Sequence, residues 1–109
     1  MSAIFELKTN SDGWYQFHFV NSKGEKLLMS AEFEQQDQAE QAIKDLRVGS
    51  LMSQQIAKGE VPSGEKFFVI KDGNGQILAK SILFADEMVF DNALHSVKDG
   101  ACIAEVRYA

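Results

Sequence analysis

Shifted by 51 residues, the chain falls on itself without a gap, and this limits its possible folds more than any other feature. Gly13 meets Gly64, Phe17 meets Phe68, Gly24 meets Gly75 and Leu27 meets Leu78. Ser30/Ser81, Phe33/Phe84, Ala42/Ala93 and Gly49/Gly100 complete eight identical pairs between residues 5 and 49. Phe5/Ile56, Phe19/Ile70, Ile43/Leu94, Leu46/Val97 and Arg47/Lys98 fill the intervals conservatively. A chain of 109 residues is the size of one ordinary domain. A tandem duplication, with copies at about 1–53 and 54–109, therefore builds a single compact domain over 1–109.

Both copies parse alike. A first strand (Ile4–Lys8, and less apolar at Met52–Lys58) leads through a polar loop to a glycine. The second strand, WYQFHFV at 14–20 and KFFVIK at 66–71, is rich in aromatic and β-branched residues that suit a pleated sheet. A glycine turn follows, NSKG or DGNG, and then a third strand, at 26–33 and 76–84. Ala39, Ala42, Ile43 and Leu46 then recur at helical spacing, as do Phe90, Ala93, Leu94 and Val97. Asp86 is placed to cap the second helix, and Arg47 and Lys98 to complement the helix dipoles. Gly49 and Gly100 stand where a left-handed residue commonly ends a helix. The tail 101–108 alternates like a last strand and aligns with 50–57. The unit is β-β-β-α(-β), the class α+β, and the whole a pseudo-twofold body. It supplies within one chain what a single repeat would achieve as a homodimer, so a monomer is expected.

The turns NSKG and DGNG, the pairs Ser30/Phe33 and Ser81/Phe84, and the helix ends AIKDLR and ALHSVK resemble the YegP-like family of small, uncharacterised bacterial proteins. The resemblance covers roughly residues 4–107. It implies a shared antiparallel sheet in which the two units exchange their last strands, with both helices packed on one face. It brings no known activity. The first copy departs from the pattern with Ser22-Lys23, whereas the second retains Asn-Gly at 74–75, and the second copy has Pro62 and a poorly apolar first strand.

Composition narrows the function. Net charge is −5 and evenly spread, so the chain lacks the Lys/Arg cluster from which nucleic-acid binders gain affinity by displacing counterions. Cys102 is the one cysteine, which excludes an internal disulfide and points to a reducing compartment. The N-terminus, MSAIFELK, has neither the basic flank nor the apolar core of a signal peptide, and no apolar run is long enough to cross a bilayer. A cytoplasmic protein without a membrane partner is expected.

The residues that could carry chemistry are few. A phosphate loop needs glycines opening onto a helix N-terminus, whereas both glycine turns open onto a strand and fit a two-residue hairpin with positive φ at its centre. His18, His95 and Cys102 show no metal-ligand spacing, so no metal or other cofactor is expected. Cys102 sits in an apolar setting that suits a small buried residue. Ser30 and Ser81, present in both copies, fit a backbone-bonding role where the third strand ends. No catalytic residue is assigned, and the chain reads as a non-enzyme.

The second face of the strands is more informative. With Tyr15, Phe17 and Phe19 under the helices, alternation sends Trp14, His18 and Val20 the other way, and Phe67 and Val69 likewise in the second copy. If water meets that face, the exposed apolar side chains mark a contact site; loops or the tail could instead cover it. Met88 and Val89 form a lesser patch. The leading expectation is a protein-interaction module that holds a protein partner through the open sheet face (Trp14, His18, Phe67, Val69) or an unpaired edge strand. The alternative is a small-ligand-binding protein or enzyme with a site in the cleft between repeats.

Overall fold

The computed structural model describes residues 2–109, which form seven strands and two α-helices. The first copy holds β1 (Ile4–Thr9), β2 (Tyr15–Val20), β3 (Lys26–Ser30) and α1 (Gln36–Gly49). The second holds β4 (Ile56–Glu60), β5 (Lys66–Lys71), β6 (Ile77–Ser81) and α2 (Glu87–Gly100), and β7 (Glu105–Tyr108) closes the chain. All strands join one sheet in the order β4-β5-β6-β3-β2-β1-β7. The copies meet at β3 and β6, where Leu28 pairs with Ser81, Met29 with Lys80 and Ser30 with Ala79. Moving each residue of these pairs by 51 returns the same three pairs, so the pseudo-twofold axis passes between Met29 and Lys80.

Four turns set the register. In residues 10–13, 21–24, 61–64 and 72–75 the glycine amide donates to the carbonyl three residues back, and each glycine has φ between 83° and 93°. No other described residue has positive φ. The turns are therefore type I turns closed by a left-handed glycine, with a bulge at Phe19/Val20 and at Ile70/Lys71. They are not the two-residue hairpins expected from Asn-Gly, which need positive φ at both central positions. Asn21 Oδ1 accepts from the amides of Lys23 and Glu25, and Asp72 Oδ1 from those of Asn74 and Gln76, at 2.8–3.0 Å. Asn10 Oδ1 does the same for Asp12 and Trp14. Pro62 follows Val61 at the second position of its turn, where a fixed φ is favourable.

Both helices lie on one face. Their apolar stripes, Ala39, Ala42, Ile43 and Leu46 with Phe90, Ala93, Leu94 and Val97, join Phe5, Leu7, Phe17, Phe19, Leu28, Phe68 and Ile70 in a single core. Each fully buried phenylalanine contributes about 1.5–3 kcal/mol. The aromatic packing repeats with the sequence: Phe17 stacks on Phe33 at 6.5 Å and Phe68 on Phe84 at 6.4 Å. The serines repeat too. Ser30 Oγ accepts from the Phe17 amide and donates to the Ala31 carbonyl, and Ser81 Oγ does so for Phe68 and Ile82. The expected backbone-bonding role is met in both copies. Asp86 caps α2 by accepting from the amides of Met88 and Val89.

Gly49 and Gly100 do not end their helices in a left-handed conformation. Both are helical, and the chain leaves through Ser50 and Ala101 in right-handed geometry. They are glycines because of contacts across the pseudo-twofold. A Cβ on Gly49 would stand 2.8 Å from the Lys71 carbonyl and 3.1 Å from Ile70, and one on Gly100 would stand 3.0 Å from Phe19. Ile70 and Phe19 are themselves 51 residues apart, so each helix closes on the second strand of the other copy.

The strand following each helix joins the opposite copy. β4 follows α1 and pairs with β5; β7 follows α2 and pairs with β1. By symmetry β7 is directed to the place that β1 already fills, so it docks one strand further out and runs parallel to β1, the one parallel pairing among the described residues. Val106 packs against the core, Arg47 Nη2 donates to the Ala104 carbonyl at 2.6 Å, and the Tyr108 hydroxyl donates to Glu40. Two expected boundaries shift. Residues 53–55 form a short 3₁₀ turn, with Gln55 bonded to the Lys71 carbonyl, so β4 begins at Ile56 rather than Met52. Residues 101–103 likewise turn before β7.

Candidate functional site

The sheet face away from the helices carries a cross-strand row: Arg107, Glu6, His18, Met29, Lys80, Val69 and Ala57, one residue per strand. The copies have diverged along it. Glu6, Lys8, Gln16, His18 and Lys26 in the first copy correspond to Ala57, Gly59, Phe67, Val69 and Ile77 in the second. The first half is therefore ionic. Glu6 Oε1 lies 3.1 Å from Lys8 Nζ and 3.6 Å from Lys26 Nζ. The hydrogen bond from Lys8, and the positive charges around it, hold the Glu6 carboxyl below its ordinary range. Burial, then the charges of Lys26 and Lys8, hold His18 below the usual histidine value, and its Nδ1 is buried without a hydrogen-bond partner.

The second half is apolar and closed around Val69, whereas Ile77 is 55% exposed, as is Met29 of the row at 51%. Gly59 leaves space that the Phe67 ring fills, since a Cβ there would stand 2.5 Å from Cζ of the ring. Lys80 Nζ sits 4.5 Å above the same ring, a cation–π contact. Val69, between Lys80 and Ala57 in the row, is 6% exposed, and so is Val20. The reading in which water meets these valines is thus corrected: both are buried. Phe67 and His18 are half-buried, and Trp14, at the end of the first turn, is 38% exposed. Between His18 and Val69 lie β3 and β6, a separation of about 14 Å at ordinary strand spacing. The four residues do not form one exposed patch.

His95 and Cys102 lie elsewhere. His95 is exposed on α2 and pairs with Asp99 at 3.0 Å. Cys102 is exposed, not buried as its apolar neighbours suggested, because residues 101–103 turn rather than pair. Among the described residues no cluster of histidine, cysteine and carboxylates is arranged to hold a metal, and no helix is long and apolar enough to cross a membrane.

A cluster of exposed aliphatic side chains beside a groove stands at another place. A groove of about 590 Å³ runs between residues 21–27 of the first copy and 82–96 of the second. Ile82, Leu83 and Val89 border it, 50%, 45% and 53% exposed, with Met88 beyond them. The pseudo-twofold generates a second groove of about 510 Å³ between residues 72–78 and 33–45. There, Ala31, Glu32, Asp37 and Gln38 take the positions of Ile82, Leu83, Met88 and Val89, and Asp45 that of Ser96. One fold thus carries a groove rimmed by Ile82, Leu83 and Val89 and a counterpart whose matching rim positions are small or polar. Sequence reading noticed Met88 and Val89 but missed Ile82 and Leu83, which read as the end of a strand. Comparing the two copies for their differences would have revealed them.

Comparison with known proteins agrees with this architecture. No family model matches the chain. It is 31% identical over 98 residues to the UPF0339 protein PA0329 of Pseudomonas aeruginosa, covering 90% of this chain and 89% of that one. To the UPF0339 protein YegP of Escherichia coli it is 29% identical, with the same shares covered. The solution structure of E. coli yegP, a protein of unknown function, superposes with a TM-score of 0.91 at 27% identity, over 99% of this chain and 93% of that one. The UPF0339 protein SO3888 of Shewanella oneidensis shares the fold with a TM-score of 0.94 at 23% identity, over 99% and 92% of the two chains. The family is uncharacterised, and the YegP resemblance of the turns, serine–phenylalanine pairs and helix ends is borne out: the chain belongs to the UPF0339 family.

Proposed function

We propose that the protein is a non-catalytic, cytosolic interaction module, acting as a monomer, that docks an apolar segment of a protein partner in the groove bordered by Ile82, Leu83 and Val89. The observation that carries this reading is the divergence between the two grooves. The positions at Ala31, Glu32 and Gln38 build the same fold with polar or small residues. Folding therefore does not call for Ile, Leu and Val at the equivalent positions 82, 83 and 89. Exposed aliphatic side chains that the fold does not use are a cost in solubility unless something covers them. The groove also draws on both copies, which agrees with the inter-repeat position of the small-ligand alternative.

A photoreactive side chain placed at Leu83, and separately at Glu32 in the matching groove, tests this in cells. A discrete protein adduct at position 83 that is missing at position 32 is the expected result. Equal labelling at both positions, or no protein adduct at position 83, contradicts it.

A further inference from the structure

The pseudo-twofold predicts a strand that the chain does not supply. β7 lies along the outer edge of β1, parallel to it and under α1. Rotation about the axis between Met29 and Lys80 carries that place to the outer edge of β4, beside α2. There β4 is the last strand of the sheet and its outer backbone groups pair with no described strand. A groove of about 320 Å³ opens at this edge, with Phe90 at its floor and Lys58, Glu60, Glu87 and Asp91 around it. From these observations we propose that the β4 edge is a strand-acceptor site, which takes an extended segment of a partner protein parallel to β4.

The occupied side of the molecule gives the pattern the segment must have. Val106 pairs with Phe5 and packs against the core; Tyr108 pairs with Leu7 and its hydroxyl donates to Glu40 on α1. The positions equivalent to Phe5, Leu7 and Glu40 are Ile56, Lys58 and Asp91. The segment therefore places an apolar residue beside Ile56 and, two residues on, a hydrogen-bond donor or cation that reaches Asp91. Charge favours the same choice, because the rim holds three carboxylates against Lys58 and Lys66, and Lys66 is engaged by Glu87 at 3.3 Å. Lys98, exposed at the position of Arg47, can donate to the segment's backbone as Arg47 does to Ala104. A second copy is a poor occupant. Antiparallel pairing about the middle of β4 sets Lys58 opposite Lys58, and like charges directly opposite are destabilising. Main-chain bonds to the edge strand supply affinity, and the alternate side chains supply selection.

The site is separate from the Ile82/Leu83/Val89 groove and stands or falls independently of it. The test is amide mapping by NMR of the intact protein titrated with a peptide copying residues 103–109, which contains the apolar–x–donor pattern as Val-Arg-Tyr. Expected are shifts and slowed amide exchange at residues 56–60 and around Asp91. The same peptide N-methylated along its pairing edge should lose this response, and Asp91→Lys should weaken binding several-fold for a peptide carrying Arg at the Tyr108 position and strengthen it several-fold for one carrying the acceptor Glu there. No response at β4 up to millimolar peptide overturns the proposal. So do shifts confined to β1 and β7, which indicate exchange with the resident strand, shifts unchanged by N-methylation, and peptide-free, concentration-dependent shifts at β4, which indicate a second copy.

Discussion

Ser30 and Ser81 occupy the point in each copy where the third strand must leave the sheet, and each hydroxyl takes the second-strand amide that the departing strand no longer bonds. Replacing either by alanine leaves a buried N–H without a partner, at a cost of about 1–3 kcal/mol. Urea unfolding of Ser30→Ala and Ser81→Ala should show similar losses, since the two environments repeat. His18 bears on pH dependence. Its folded value lies below the ordinary 6.5 because burial and the charges of Lys26 and Lys8 oppose protonation, while Glu6 alone favours it. The unfolded chain therefore binds a proton at this site more readily than the folded one. Its contribution to stability is fully present above about pH 6.5 and declines as pH falls toward the lowered folded value. His18→Gln should flatten that decline in stability measured from pH 7 to 5; an unchanged slope would place its origin elsewhere.

At the level of elements, helices and strands were legible because their apolar residues recur with periods of 3.6 and 2, and the offset of 51 tested each assignment twice. What escaped was decided by partners distant in sequence. Gly49 looked like a helix stop, yet its absent side chain makes room for the Lys71 carbonyl from the other copy. The start of β4 moved because Gln55 bonds Lys71 across the sheet. The asparagine or aspartate three residues before a turn glycine was a readable local signal for an Asx-stabilised turn, and it outweighed the Asn-Gly pair that suggested a tighter hairpin. β7 is an edge strand paired with β1, and Arg47 ties its approach through the Ala104 carbonyl. Arg47→Ala removes the bond to Ala104 and the guanidinium 5.6 Å over Phe5. Hydrogen exchange should then accelerate at the amide of Ala109, which donates to Leu7, and along the β1–β7 ladder, while the ladders of β2 and β3 stay protected. Uniform acceleration would show that β7 is part of the global unfolding unit.

For the whole molecule, symmetry was readable and asymmetry was not. The repeat in sequence became the pseudo-twofold of the sheet, the matched serines and the matched phenylalanine stacks. The open sheet face, expected to carry Trp14, His18, Phe67 and Val69 as a patch, is partly closed by Lys80 and Phe67 themselves, because side-chain length and cross-strand neighbours decide coverage and periodicity does not report them. An exposed aliphatic cluster beside a groove lies instead where the copies differ, at Ile82, Leu83 and Val89. The central claim is that these three serve a partner and not the fold. Its most direct measurement is the unfolding free energy of the variant carrying Ile82→Ala, Leu83→Glu and Val89→Gln, the residues that the other copy uses. The claim predicts a change within about 0.5 kcal/mol, as for exposed positions generally. A loss of about 2 kcal/mol or more, the range for removing buried aliphatic side chains, would contradict it.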